Sequence, residues 1–459
     1  MASRELTTII LAAGEGTRMK SARAKVLHEI AGAPLLAHVM ETASAAGSSA
    51  LAVVIGPDRD DVADMARRFA GKLDIKLDVF IQTDRLGTAH AALQAGALLQ
   101  AASGDVMIAF GDTPLLTPAT FEALRQSLRE GADIAIAAFT ATDPSGYGRV
   151  LAQGDQVIAI REEKDASAEE RQITLCNGGL MAISARHALR LLKQVGNANA
   201  KGEYYLTDIV EAARTEGVIA RAVVVDEDEL RGVNTRAQLA DAEALMQQRL
   251  RREAMEAGVT LVAPDTVFFS HDTVLGNDVW IGPHVVFGPG VSMAGPGEIL
   301  GFSHLAGCRI AAGARIGPFA RIRPQTVLGE NSHIGNFVEI NRSTLGADVQ
   351  ANHLAYVGDA EVGRGSNIGA GTITCNFDGA DKHHTRIGRD VFVGSNSTLV
   401  APITIGDEVL IAAGSTLTKN VPDGALAFGR ARQSELDGKG RDRVIANQAK
   451  RAARKARGA

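Results

Sequence analysis

The sequence predicts two architectures in tandem, an α/β sheet of largely parallel strands over residues 1–235 and a parallel β-helix over about Val259–Arg430. Three observations carry this. In the second stretch aliphatic residues recur at every sixth position, at Ile310, Ile316, Ile322, Leu328, Ile334 and Ile340 in one register and at Ile387, Val393, Leu399, Ile405, Ile411 and Leu417 in another. Many of these rungs are followed by glycine. In the first stretch, short apolar runs alternate with helix-like segments, a Rossmann-like pattern.

A period of six fits neither the 3.6 repeat of an amphipathic helix nor the alternation of a half-buried strand, so it points to stacked coils whose aliphatic rungs bury one another. A β-sandwich with glycine-rich turns is the alternative, and two unbroken six-residue registers disfavour it. Gly282, Gly288, Gly317, Gly329, Gly335, Gly388, Gly394 and Gly406 are expected at sharp corners where positive φ is needed. Periodicity does not set the handedness of the coil.

With 459 residues the chain exceeds one core and divides into two or three domains. It is 46% hydrophobic, carries a net charge of -5 and is only 4% aromatic, so neither a basic field nor base stacking argues for nucleic acid. Cys176, Cys308 and Cys375 lie far apart, with no metal-ligand or disulfide-framework spacing. The run Ile9–Ala13 is too short for a signal peptide, and no apolar segment reaches the roughly 18 residues of a membrane span, so a cytoplasmic protein without membrane insertion is expected.

Within residues 1–235, strands are expected at Thr7–Leu11, Leu51–Ile55, Leu77–Ile81, Val106–Phe110 and Ile134–Phe139. Ligands of such sheets bind beyond the carboxyl ends of the strands, so the loops after them come first. The first loop reads Leu11-Ala12-Ala13-Gly14-Glu15-Gly16-Thr17-Arg18-Met19, followed by Lys25. Its small residues let backbone N–H groups approach a phosphate or base closely, and Arg18 and Lys25 supply charge for a polyphosphate. It is neither a dinucleotide fingerprint, since the third glycine is missing, nor a P-loop.

The nine-residue string with its downstream lysine resembles the signature of the sugar-phosphate nucleotidyltransferases. Further matches follow in order. Gln82 with Leu86-Gly87-Thr88 matches the uracil-reading segment, and Phe110-Gly111-Asp112 ends a core strand with a carboxylate. Then come Gly146-Tyr147-Gly148-Arg149, Glu162, Asn177-Gly178-Gly179, Gly202–Asp208 and Gly232-Val233-Asn234. The resemblance implies attack by a sugar phosphate oxygen on the α-phosphorus of UTP, with Mg2+ held by Asp112 and Asn234 and with Lys25 and Arg18 offsetting phosphate charge. Read alone, Asp112 equally suits a cap for a helix starting near Thr117, Glu162 a solvated charge, and Asn177 and Asn234 turn residues.

A helix-like segment at 236–257, with Leu239, Met246 and Leu250 on one side, reads as a linker arm. The array at 258–430 then begins, and a basic tail at 431–459 ends the chain. This combination narrows the resemblance to the bifunctional UDP-N-acetylglucosamine pyrophosphorylase and glucosamine-1-phosphate N-acetyltransferase family, over almost the whole chain. The resemblance implies a left-handed coil, a homotrimer, and acetyl-CoA, UTP and sugar phosphates as small-molecule substrates. A single-activity nucleotidyltransferase with a regulatory coil, or a non-catalytic scaffold subunit, are the rivals. Arg18, Lys25 and Asp112 disfavour the scaffold, and His353 and Arg323 the single-activity form.

The array breaks its rhythm twice, by slips to five between Leu345 and Val362 and by an insertion, Cys375–Arg386. Solenoid insertions are usually loops on the binding face, so chemistry is expected there. A lone histidine is by default structural; the family pattern makes His353 the candidate base for the sugar amine. By the same resemblance, Arg323, Asn341, Tyr356 and Asn367 hold glucosamine 1-phosphate, and Ala370, Asn376, Phe377, Ser395, Ala413 and Arg430 hold acetyl-CoA. The family has lysine where Asn341 stands, which leaves the second phosphate contact open. Arg342 is adjacent, but alternation along a strand puts neighbours on opposite faces. From Arg430 on, ten Lys or Arg face three Asp or Glu without proline or aromatic interleaving, and a solvated, mostly disordered tail is expected.

Overall fold

The computed structural model describes residues 4–456. Two compact units emerge, Met1–Val274 with Val286–Gly290, and Leu275–Val285 with Val291–Ala459.

The first unit is built on one mixed sheet, ordered Ala220–Val224, Ile134–Thr140, Leu175–Ser184, Asp105–Phe110, Leu6–Ala12, Ser48–Ile55 and Lys76–Ile81. Every strand expected from the apolar runs is present. Neighbours pair in parallel except Leu175–Ser184, which runs antiparallel to both of its neighbours. Ile9, Ile10, Leu51, Val53, Ile108 and Ile136 are fully buried, because helices cover both faces of the sheet. Strand order reverses between Leu6–Ala12 and Asp105–Phe110, so the carboxyl ends of these two strands open a crevice at the switch point.

The linker segment forms the helix Arg236–Glu256. Thr235 caps it, accepting from the Gln238 N–H while the Gln238 side chain reaches back to the cap, a reciprocal capping box. Leu239, Met246 and Leu250 face Ile30, Leu35 and Leu115, which gives the apolar side predicted for this segment its partner.

In the second unit, strands of two to four residues stack in parallel into three sheets, a parallel β-helix. Both six-residue registers are rungs of its interior: Ile316, Ile322, Ile334, Ile340, Val393, Leu399 and Ile411 are fully buried. Ile334 pairs with Ala351 and Ile340 with Val357 on the next coil, so the slips to five shorten a coil without breaking the ladder. The insertion lengthens one coil, and Thr374 still pairs with Leu399.

The glycines after the rungs serve a different purpose from the one expected. Of those eight only Gly317 has positive φ, at 93°. A Cβ on Gly329 would lie 2.5 Å from the Gly346 carbonyl carbon, and one on Gly388 2.6 Å from that of Gly406. They are small because the next coil's backbone sits on them. The left-handed corners are taken instead by residues such as Asn331, Phe337, Asp348, Leu354, Asp359 and Asn396.

The tail also departs from expectation. Lys439–Ala456 is an α-helix whose described side chains are all exposed, so it is solvated but ordered. Alanine, arginine, lysine and glutamine are strong helix formers, and propensity alone suffices without an apolar stripe.

Close coil stacking makes one outcome measurable. Gly329→Ala is expected to destabilise the second unit by about 1–3 kcal/mol, seen as a lower thermal midpoint, because its methyl group meets backbone that has no room to yield.

Candidate functional sites

The switch-point crevice of the first unit is a cavity of about 380 Å³. It is lined by Leu11, Ala12, Ala13, Gly14, Lys25, Gln82, Gly87, Thr88, Phe110, Asp112 and Asn234, all expected nucleotide contacts. Gly111 lies behind this wall, its N–H donating to the Leu11 carbonyl at 2.9 Å. The two loop glycines have separate roles. Gly16, at φ 64°, makes the turn, whereas a Cβ on Gly14 would meet nothing, so its surroundings are open to a ligand. Gly87 combines φ 120° with a backbone approach to Tyr204 that leaves no space for a side chain.

The charged groups converge on one point. The Lys25 ammonium pairs with the Asp112 carboxylate and donates to Asn234 Oδ1 at 3.0 Å, and Arg18 donates to the same oxygen at 2.9 Å. Asp112 is not a helix cap, because Thr117 caps the helix Pro118–Arg129.

Gly148, Glu162 and Asn177 form a second cluster beside this cavity. The Asn177 N–H donates to the Gly148 carbonyl at 2.8 Å, and its Oδ1 accepts from the Gly179 N–H at 3.1 Å, so it is a turn residue as well as a candidate contact. Thr207 donates to Glu162 at 3.1 Å. Burial raises the Glu162 carboxyl above its usual range, so Glu162 is not a freely solvated charge. Burial and the nearby Glu211 and Glu162 push Asp208 up to about 6. Arg85, passed over in sequence, and Glu203, from the matched segment Gly202–Asp208, also line the cavity, and Arg85 Nε donates to the Ala13 carbonyl at 3.1 Å. Arg85 stands between matched positions of the Gln82–Thr88 segment, which was its only signal.

In the second unit, coil stacking assembles the other candidates. His353 pairs with Asn336 across a parallel ladder, and its Nδ1 lies 2.8 Å from Asn336 Oδ1. Ala370, Ser395 and Ala413 follow the same strands on later coils, forming one column along the corner that His353 begins. Arg430 donates to the Ala413 carbonyl at 2.8 Å at its far end. Tyr356 lies in one sheet, Arg323 directly follows the strand Arg321–Ile322 of that sheet, and Asn367 lies in the next.

A polar cluster surrounds Tyr356. Asn376 donates to Asp359 and, at 3.4 Å, to the Tyr356 hydroxyl. Arg342 grips Asp359 through Nε and Nη2 at 2.7 and 2.8 Å and holds its carboxyl below the usual range. Strand alternation does not apply to Arg342: the strand Glu339–Asn341 ends before it, and Arg342 itself turns at φ 46°. Asn341 is only 4% exposed. Arg323 donates to Glu339 at 2.9 Å. Lys382, also passed over in sequence, lies 4.3 Å from the Phe377 ring centroid.

Similarity to known proteins agrees with both halves. Residues 8–204 match the MobA-like NTP transferase domain, residues 307–342 the bacterial transferase hexapeptide, and residues 384–419 the hexapeptide repeat of succinyl-transferase. A bifunctional protein GlmU of Azorhizobium caulinodans is 55% identical over 438 residues, 95% of this chain and 97% of that protein. The chain belongs to the bifunctional GlmU family. Relatives of the same name from Rhizobium etli, 54% identical over 97% of this chain and 98% of their own, and from Agrobacterium fabrum, 50% identical over 95% of each, agree. The GlmU architecture is an NTP transferase domain followed by a left-handed parallel β-helix of hexapeptide repeats. The activities of the chain are those of a UDP-N-acetylglucosamine pyrophosphorylase and a glucosamine-1-phosphate N-acetyltransferase. Hexapeptide domains generally oligomerise, and among the described residues no helix is long and apolar enough to cross a membrane.

The raised Asp208 carboxyl sets a pH dependence. Both states are protonated below about pH 4; between there and about pH 6 only the unfolded state ionises, so stability falls across that window and is level above it. Asp208→Asn is expected to raise the stability of the first unit by roughly 1 kcal/mol at pH 8, allowing for solvent screening, and by nothing at pH 4, read from denaturant midpoints.

Proposed function

We infer that the two transferase centres divide the chemistry between residues 1–235 and 258–430, with 236–257 as linker and 431–459 as a tail outside both sites, and that the protein works in the cytoplasm. The second centre acetylates glucosamine 1-phosphate, and the first uridylylates the product, giving UDP-N-acetylglucosamine and pyrophosphate for envelope polymers. The observation that carries this is the coexistence of the Lys25–Asp112–Asn234 convergence with the column from His353 to Arg430.

At the first centre a phosphate oxygen of N-acetylglucosamine 1-phosphate attacks the α-phosphorus of UTP, and the bond to the β-phosphate breaks. Leu11–Gly14, Gln82, Gly87 and Thr88 line the cavity for the nucleotide, while Gly148, Glu162 and Asn177 suit the sugar. Lys25 and Arg18 offset charge on the two polyanions. Asp112 and Asn234 suit Mg2+, because two hard oxygens already converge on one cation, the Lys25 ammonium. Bound Mg2+ would offset charge on the UTP phosphates.

At the second centre His353 takes a proton from the sugar amine as its nitrogen attacks the acetyl carbonyl, and the carbon–sulfur bond breaks to release CoA. Asn336 Oδ1 accepting from Nδ1–H leaves Nε2 as the basic nitrogen. Arg323, Asn341, Tyr356 and Asn367 hold glucosamine 1-phosphate; Ala370, Asn376, Phe377, Ser395, Ala413 and Arg430 border acetyl-CoA. Because the sugar contacts lie on two sheets that meet at the His353 corner, a neighbouring copy is expected to complete the site in a homotrimer. An exposed ladder of stacked Phe302, Phe319 and Phe337 supports such association.

Following thiol and pyrophosphate release together tests this assignment. His353→Ala is expected to slow glucosamine-1-phosphate-dependent thiol release by about 10²- to 10⁴-fold and to spare pyrophosphate release. Asp112→Asn is expected to do the reverse; coupled loss of both activities in either variant would break the division. Sedimentation equilibrium is expected to give three chains per particle.

A further inference from the structure

We propose that Arg342 is the second phosphate-binding cation of the acetyltransferase centre, aimed at glucosamine 1-phosphate by its fork-on-fork pairing with Asp359. The proposal rests on the assignment of that centre above and adds a residue to it.

Arg342 leaves the coil at a corner, in left-handed backbone, immediately after the strand Glu339–Asn341. A guanidinium has five N–H donors, of which Asp359 takes two. The side chain remains 35% exposed, so donors are left for an oxyanion. Asp359 fixes the plane of the fork, which lowers the ordering cost of engaging a tetrahedral phosphate.

The neighbours of this pair are substrate-binding candidates. Asp359 accepts from Asn376, whose amide touches the Tyr356 hydroxyl, so Arg342 belongs to the same cluster as both. Arg342 also donates its backbone N–H to the Pro324 carbonyl at 3.3 Å, which places it one coil from Arg323. Adjacent coils are about 4.8 Å apart, a spacing that lets one phosphate meet two guanidiniums. Asn341 does not serve this purpose, being uncharged and almost wholly buried. Among the paired groups, Arg321, Arg323 and Arg342 outnumber Glu339 and Asp359, leaving a positive excess for a sugar phosphate dianion.

The test uses the full chain. Arg342→Ala is expected to raise KM for glucosamine 1-phosphate about 10- to 100-fold, the loss of a charge-assisted contact, with kcat at saturation changed by no more than about twofold. KM for acetyl-CoA and pyrophosphate release at the other centre are expected to stay at wild-type values. Competitive inhibition by glucose 1-phosphate, which keeps the phosphate and lacks the amine, is expected to weaken by the same factor. Arg342→Lys, with the charge but without the fork, is expected to fall between wild type and alanine. An unchanged KM, a fall in kcat alone, or a rise in KM for acetyl-CoA of equal size overturns the proposal. Wild-type protein that releases no thiol with glucosamine 1-phosphate would instead overturn the assignment of the centre, and calorimetric binding of glucose 1-phosphate to wild type and Arg342→Ala would still decide the role of Arg342.

Discussion

Parallel strand pairing is the constraint on which both halves depend. In a parallel ladder the strands point the same way, so their carboxyl ends lie along one edge, and whatever the chain carries just beyond them is gathered there. In the first unit this brings the loop after Leu6–Ala12 beside Phe110-Gly111-Asp112, although some hundred residues of sequence separate them. In the second unit the same pairing acts on very short strands. Each coil repeats the last in register, so residues far apart in sequence become a column with the spacing of a β-ladder.

The two candidate sites share an arrangement of charge. Three of the cations are held by a carboxylate, Lys25 by Asp112, Arg323 by Glu339 and Arg342 by Asp359, whereas Arg18 is held by the Asn234 amide oxygen. A cation so paired is oriented and partly desolvated, and its unused donors remain for an incoming oxyanion. The carboxylate also prevents several cations from repelling one another in the empty cleft. Glu162 and Asp208 stand apart from this pattern. Burial, not a cation, governs them, and their carboxyls are raised where that of Asp359 is lowered.

The rungs from Ile310 to Ile340 and from Ile387 to Leu417 were legible because burial of one residue in six is a property of composition along the chain. The nucleotide loop was legible because its residues are contiguous. The placement of Arg342 was not legible for the complementary reason: alternation along a strand says nothing once the strand has ended, and the turn at φ 46° is a feature of the corner. Apart from Gly317, the glycines do not supply the positive φ expected of them; for those such as Gly329 and Gly388 the backbone that excludes a side chain belongs to another coil. Arg85 and Lys382 were not singled out by any local pattern, and they count only through what lies across the cavity or cluster from them.

The sequence by itself determined the two architectures, their order, the family, and the loops that supply the candidate sites. These follow from periodicities and strings that are complete within a few residues of one another. Only the tertiary structure decided which of those residues meet: Lys25 with Asp112 and Asn234, His353 with Asn336, and Arg342 with Asp359 and so with Asn376 and Tyr356. Such meetings depend on strand register and on the backbone angle at single corners, and both are fixed by packing against other coils.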